Sequence, residues 1–302
     1  MKTFIDTLSL DYCLVFDYEK LSENPSRVFR AASDLIDAFQ EFDIQLAHSI
    51  NKKITPKILL QDIESGSFKT WLRTILISID DDALKNLDAK KIVGGFLLKG
   101  KEKLVTFLEN KDKISDSHQV AVLQNEIYHL AEQTEVLRIP AYAPIPTYRI
   151  LRSLERISSS LANLNSSDKA FYITRDGEFA FNTSFKIASE AIEDFATKET
   201  ISNDAVMILK VKKPDFLGDS MWEFKYAGRA LNAKVTHTKW LSKFQSRKVQ
   251  VNPGDSIRAN VHTDVKYGYD NDVIAVHYFV TNVLEVLETK DTEQKNLFDA
   301  ND

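Results

Sequence analysis

The sequence predicts an α+β protein: a small strand-helix-strand-strand module at the N-terminus, a helical middle, and a β-rich, barrel- or sandwich-like C-terminal domain. Three observations carry this. Apolar residues recur every three to four positions between 29 and 50 and again between 115 and 164, the period of helices with one buried face. From about residue 170 the apolar period falls to two, as in half-buried strands. Between the two regimes stands Asn165-Ser166-Ser167-Asp168, a run of turn-forming residues. The expected divisions are 1–80, 81–168 and 169–288, with 289–302 as a flexible tail.

Residues 8–18 are rich in aromatic and aliphatic side chains and read as a strand. Asn24-Pro25 opens a helix, because Asn accepts a hydrogen bond from an orphan amide and Pro lacks an N–H that would go unpaired in the first turn. Phe29, Ala32, Leu35, Phe39, Phe42, Leu46 and Ile50 form the apolar stripe of this helix. Two apolar runs, 57–64 and 67–79, flank Ser65-Gly66, and Gly supplies the positive φ of a tight hairpin. Strand, helix, strand, strand is half of a ferredoxin-like unit or a small sheet with one face on the helix.

Asp80-Asp81-Asp82 begins a helical stretch that runs to Asn110, loosened at Gly94-Gly95. A second helix spans 115–134, with Val120, Leu123, Ile127 and Leu130 on one stripe. Three prolines between Ile139 and Pro146 form an extended connector, and a third helix runs from Thr147 to about Leu164. Further strands are expected at 170–174, 205–212, 222–227, 230–236, 247–251, 256–265 and 273–287. Short helices around 185–196 and 238–244 interrupt them.

Composition excludes several classes. Apolar content of 43% and charged content of 27% are those of a folded protein. The longest apolar runs, 92–98 and 273–280, fall short of the roughly 20 residues of a spanning helix, and no signal-peptide pattern opens the chain. A cytoplasmic location without a membrane partner is expected. The single Cys13 excludes an internal disulfide and a thiolate metal cluster, and its apolar strand makes it a buried, inert thiol. The six histidines show no metal-ligand spacing. No acyl-transfer elbow and no dinucleotide fingerprint is present, and no cofactor is expected.

Two near-motifs invite phosphate chemistry. Gly66-Ser67 followed by Asp80-Asp81-Asp82 resembles nucleotidyltransferases, in which Gly-Ser precedes an acidic pair holding Mg²⁺. That resemblance implies Asp80 and Asp82 as the catalytic carboxylates. Here the spacing is a few residues longer and the intervening residues form a strand where that family has a helix. The residues alone read as a hairpin turn and a helix N-terminus, which favours acids through the helix dipole. Gly95-x-x-x-x-Gly100-Lys101 is followed by Glu102 instead of the Ser or Thr that a phosphate loop needs, and its surroundings are helical.

Charge is unevenly spread. The chain has a net charge of −5, yet residues 210–248 carry ten Lys or Arg against Asp215, Asp219 and Glu223, a local +7 that leaves −12 elsewhere. Such asymmetry points to an anionic partner. Trp222, Phe224 and Tyr226 alternate with Glu223 and Lys225, and Trp240 and Phe244 share a helical face near Lys243 and Arg247. Aromatic platforms beside cations are what single-stranded nucleic acid uses on small β-barrels. An antiparallel sheet that buries alternate aromatics and solvates its Lys and Arg shows the same pattern. The candidate binding set for an anionic ligand, nucleic acid or nucleotide is Trp222, Lys225, Arg229, Lys234, Trp240, Lys243 and Arg247.

After a polar stretch, Gln294-Lys295-Asn296-Leu297-Phe298-Asp299 resembles the peptide that bacterial proteins insert into the sliding clamp of DNA replication. The resemblance implies Leu297 and Phe298 in an apolar pocket with the Gln294 amide at its mouth. Lys295 departs from the apolar or small residue usual in second place. The expected function is a non-enzymatic binding or adaptor protein of a bacterial or mobile-element DNA-associated system, its C-terminal domain for an anionic ligand and its tail for a protein partner. The alternatives are a divergent Mg²⁺-dependent nucleotidyltransferase, and a purely protein-binding subunit that assembles through helices 115–164, as a homo-oligomer or in a larger complex.

Overall fold

The computed structural model describes residues 10–21, 23–64, 68–78, 87–114, 116–138, 142–252, 254–269 and 271–288. The chain is α+β and divides into two compact units at Ala196/Thr197. Asp80, Asp82 and the Ser65-Gly66 turn lie outside the described residues, as does the segment holding Gln294, Leu297 and Phe298.

The first unit is a five-stranded antiparallel sheet layered with helices. Strands β1 (Asp11–Asp17), β2 (Ile54–Glu64), β3 (Phe68–Ser78), β4 (Lys169–Ile173) and β5 (Glu178–Ala180) lie in the order β2-β3-β1-β4-β5. Helix α1 (Ser26–Ile50) joins β1 to β2 with β3 between them, the split β-α-β order of ferredoxin-like sheets. Buried Ala32, Leu35, Phe39, Phe42, Leu46 and Ile50 are the expected stripe of α1, whereas Phe29, expected to head it, is exposed. Asn24 does not cap α1 with its side chain. It adopts φ +58 and its carbonyl accepts the Arg27 N–H at 3.2 Å.

The helical middle is not a separate region. Helices α2 (Leu87–Leu108), α3 (Ser117–Gln133) and α4 (Thr147–Leu161) pack with α1 as the second layer of this unit, and α5 (Ser189–Ala196) packs on α4. Asp116 caps α3 by accepting the Gln119 N–H at 3.0 Å. Helix α2 runs unbroken through Gly94-Gly95. A Cβ on Gly94 would lie 2.3 Å from Leu10 and one on Gly100 2.6 Å from Leu46, so these glycines serve close packing, not a joint.

The boundary expected at Asn165–Asp168 is overturned. Asp168 is buried and takes Arg27 Nε at 2.8 Å and Nη2 at 3.1 Å, plus the amides of Asn165 and Glu19. This bidentate pair pins the turn to the start of α1, and β4 and β5 continue the first unit's sheet. Burial alone would raise the Asp168 pKa, but the Arg27 and amide hydrogen bonds hold it below the ordinary carboxylate value. Cys13 is buried as expected, and desolvation pushes its thiol to about 12.

Between α1, α2 and β3 two charges are sealed from solvent. Lys101 Nζ meets Asp43 Oδ1 at 2.5 Å with both side chains at 0% exposure, and Thr74 donates to Asp43 Oδ2 at 3.1 Å. The ammonium also sits 5.1 Å from the Tyr12 ring centroid. Desolvation drives Asp43 up and Lys101 down, and their contact opposes both shifts. Removing one partner strands the other charge. Lys101→Met is expected to lower unfolding free energy by about 3–5 kcal/mol in denaturant melts. Adding Asp43→Leu should restore most of that loss, because it removes the stranded carboxylate.

The second unit comprises β6 (Thr197–Lys213), β7 (Trp222–Tyr226), β8 (Arg229–Val235), α6 (Thr238–Gln245), β9 (Ser256–Gly268) and β10 (Val273–Leu287). It is a closed five-stranded barrel in the order β10-β8-β7-β6-β9. All pairings are antiparallel except β8–β10, which meet in parallel at Lys234–Phe279 and Val235–Val280. An antiparallel meander, a helix and a parallel closure thus complete the barrel. Ala227 (φ +47) and Gly228 (φ +85) make the two-residue β7–β8 hairpin. The strand expected at 247–251 is absent, because Arg247 takes φ +61 to end α6 and the segment becomes a turn. Strands β6, β9 and β10 overrun the barrel as a three-stranded arm, where residues 198–206 of β6 are all exposed. No helix among the described residues is long and apolar enough to cross a membrane.

Candidate nucleic-acid interface

Strand alternation decides which of the expected binding residues face solvent. In β7, Trp222 and Phe224 point into the barrel while Glu223 and Lys225 point out. Trp222 is 1% exposed, its ring 4.9 Å from Phe244 and 5.9 Å from both Phe224 and Trp240. Trp240 is 8% exposed and stacks on Phe244 at 5.9 Å, 6° between planes. Helix α6 carries Trp240, Leu241 and Phe244 as the plug of the barrel core. The aromatic platform expected at Trp222 and Trp240 is therefore not available to a base: both are core.

The cations behave differently. Lys210 and Lys225 stand directly opposite each other across β6 and β7, both exposed and without a carboxylate partner among the described residues. Next to them Lys212 pairs with Glu223, and Lys234 meets Asp219 at 3.2 Å. Arg258 of β9 lies opposite Ile208 with its side chain exposed. Arg229 faces Tyr226 at the hairpin end, exposed but on the inward parity, where the barrel has run out of core. Lys243 lies exposed on α6, and Arg247 belongs to its C-terminal turn, donating its N–H to Phe244 at 2.9 Å. The expected set thus separates into a buried aromatic pair, a strand face bearing Lys225 and Lys234, the hairpin's Arg229, and a helix end bearing Lys243 and Arg247. Lys210, Lys212 and Arg258 join the strand face. Their outward parity was readable only once register was known.

The β6–β7 loop mixes apolar, acidic and turn-forming residues and carries no motif in the sequence. Asp215 organises it, accepting the amides of Leu217, Gly218 and Ser220, each at 2.9 Å, and the Ser220 hydroxyl at 2.5 Å. These bonds, the Ser220 hydroxyl first, hold the Asp215 carboxyl far below its ordinary pKa. Phe216 stacks on Phe244 at 5.3 Å, and Gln245 donates to the Gly218 carbonyl at 2.7 Å. The loop is thereby fastened to α6.

On the arm, His262 stands between two carboxylates, with Nδ1 2.9 Å from Asp204 and Nε2 3.0 Å from Asp264. Ser202 donates to Asp264 at 2.6 Å. No group of three or more His, Cys, Asp or Glu among the described residues is placed to hold a metal ion. Both ring nitrogens face acceptors, so the imidazolium satisfies both and the neutral ring only one. The pKa of His262 is accordingly raised, chiefly by its hydrogen bond to Asp204. A raised folded-state pKa means that this clamp stabilises fully below the unfolded value of about 6.5 and is lost as pH rises through the folded one. A proton NMR titration should place the His262 midpoint above 6.5, and Asp204→Asn should move it down. Compared with protein-family models, curated proteins and solved structures, the chain shows no significant match.

Proposed function

We infer that the C-terminal barrel binds a polyanion, single-stranded nucleic acid, along the outward face of β6, β7 and β8. The observation that carries this reading is the Lys210–Lys225 pair. Like charges directly opposite across two strands destabilise a sheet, and neither lysine has a carboxylate ion-pair partner among the described residues. A phosphate backbone laid across the strands would relieve the pair. Lys212 and Lys234, each paired with a carboxylate, and Arg258, in register with Glu285 of β10, continue the same face, and small five-stranded barrels of the oligonucleotide/oligosaccharide-binding class support the reading by analogy alone. With Trp222 and Trp240 in the core, recognition is of phosphates rather than of base sequence.

In this reading the protein is an adaptor. The barrel holds nucleic acid while the segment containing Gln294, Leu297 and Phe298 takes a protein partner.

Fluorescence anisotropy with a labelled oligothymidine over a salt series tests the nucleic-acid half. Lys210→Glu with Lys225→Glu should weaken binding at least tenfold and flatten the plot of log affinity against log salt by about 1.4, two phosphate contacts at roughly 0.7 each. Unchanged affinity and slope in a folded variant would remove the proposal. Oligoadenosine and oligothymidine should bind within about threefold of each other, since no buried indole reaches a base.

A further inference from the structure

The β6–β7 loop presents an apolar surface that its own unit does not cover. Leu217 is 97% exposed, Phe216 56% and Met221 52%. They line a groove of about 510 Å³ whose charged lining is Lys213, Asp215 and Glu223. The Asp215 bonds and the tie to α6 fix the loop, so the groove is preformed and little ordering entropy opposes an occupant. Two carboxylates beside it are paired, Asp219 with Lys234 and Glu223 with Lys212, whereas Asp215 accepts neutral donors and keeps its charge. Lys213 in the lining and Lys243, next to the Phe244 on which Phe216 stacks, keep no carboxylate partner among the described residues. The groove therefore wants two apolar side chains carried on an acidic segment.

This chain contains one, and the barrel delivers it to the right end. Leu287 of β10 is in register with Ser256 of β9, which is in register with Lys210 of β6, four residues before Pro214. Two strand spacings, about 10 Å, thus separate the end of β10 from the strand that enters the loop. Residues 288–302 hold Glu288, Asp291, Glu293, Asp299 and Asp302 against Lys290 and Lys295, a net −3, with Leu297-Phe298 as their sole pair of large apolar residues. The ten residues from Glu288 to Leu297 span at most about 35 Å, well beyond the separation required.

We propose that the segment 288–302 docks in cis on the β6–β7 loop, with Leu297 and Phe298 in the Phe216-Leu217-Met221 groove and its carboxylates against Lys213 and Lys243. The contact is autoinhibitory in two directions. It withholds Leu297-Phe298 from a protein partner, and it screens one end of the cationic barrel. A partner that captures the segment uncovers the barrel, and a polyanion that displaces it releases the segment.

Limited trypsin digestion of the full chain, followed by mass spectrometry, tests this without any nucleic acid. Docking protects the bond after Lys295. Leu217→Asp with Met221→Asp, at positions whose exposure keeps the fold intact, should raise the rate of cleavage there at least tenfold. Leu297→Ala with Phe298→Ala should do the same while leaving the loop untouched. Equal rates in the parent chain and both variants would overturn the proposal. Protection that grows with protein concentration would overturn it too, by placing the segment of one copy on the groove of another. Should the oligonucleotide experiment fail while protection is seen, the nucleic-acid reading falls and the docked segment stands.

Discussion

The barrel exists because β10 meets β8 in parallel over two residue pairs, and everything proposed for its surface depends on that short seam. Two registered pairs are few for a closure, and the loop after β8 reinforces them. The amides of Thr236 and His237 both donate to the Val280 carbonyl, at 2.9 and 3.3 Å, and Nδ1 of His237 accepts the Val283 N–H at 2.9 Å. Without this seam β8 would be a bare edge and Trp222, Phe224 and Leu231 would lose the far wall of their core. With it, the apolar set is forced inward and the intervening lysines have only the outside left. The cationic face is thus a by-product of closure as much as of composition.

The first unit solves a different problem. It carries an ammonium and a carboxylate in a place with no solvent, held by one another, by a threonine hydroxyl and by the face of a tyrosine. Such a pair gives little net stability over an apolar substitute but heavily penalises any arrangement of α1, α2 and β3 that separates the two charges. The close approach of α2 to α1 at Gly100 and Leu46 puts Lys101 within reach of Asp43. A run that looks like a failed phosphate loop in one dimension is thus a packing device in three.

Much of the architecture was legible because it is local. The stripe of α1, the 54–78 hairpin, the Val120-Leu123-Ile127-Leu130 face of α3 and most of the barrel strands follow from periodicity and turn chemistry alone. What escaped was long-range. Asp168 looked like part of a linker because nothing local shows that Arg27, 141 positions away, will bury it. Trp222 and Trp240 looked like a platform because alternation tells that two sets of side chains part company, not which set is inside. Lys210 gained its significance only from the register that sets it against Lys225, and register is a property of two strands. The loop at 214–221 escaped for the opposite reason: its order comes from a single aspartate bonding its own neighbours, too fine a pattern for a mixed stretch of eight residues to advertise.

The arm that β6, β9 and β10 build beyond the barrel has a consequence for how the domain comes apart. Its middle strand is hydrogen-bonded on both sides, but among the described residues β6 from Thr197 to Leu209 pairs with β9 alone, and β10 from Val273 to Tyr278 likewise. Lys198, Glu199 and Asp204 charge the β6 side, a common guard against edge-to-edge association. Little apolar surface is buried there, so the arm rests on ladder bonds and on the His262 clamp, both within reach of water. Opening free energy follows burial and bonding, which divides each of these three long strands into two dynamic regimes. The inner halves open only with the whole barrel, whereas the outer halves fray on their own, as a ribbon that breathes at the end of a closed ring.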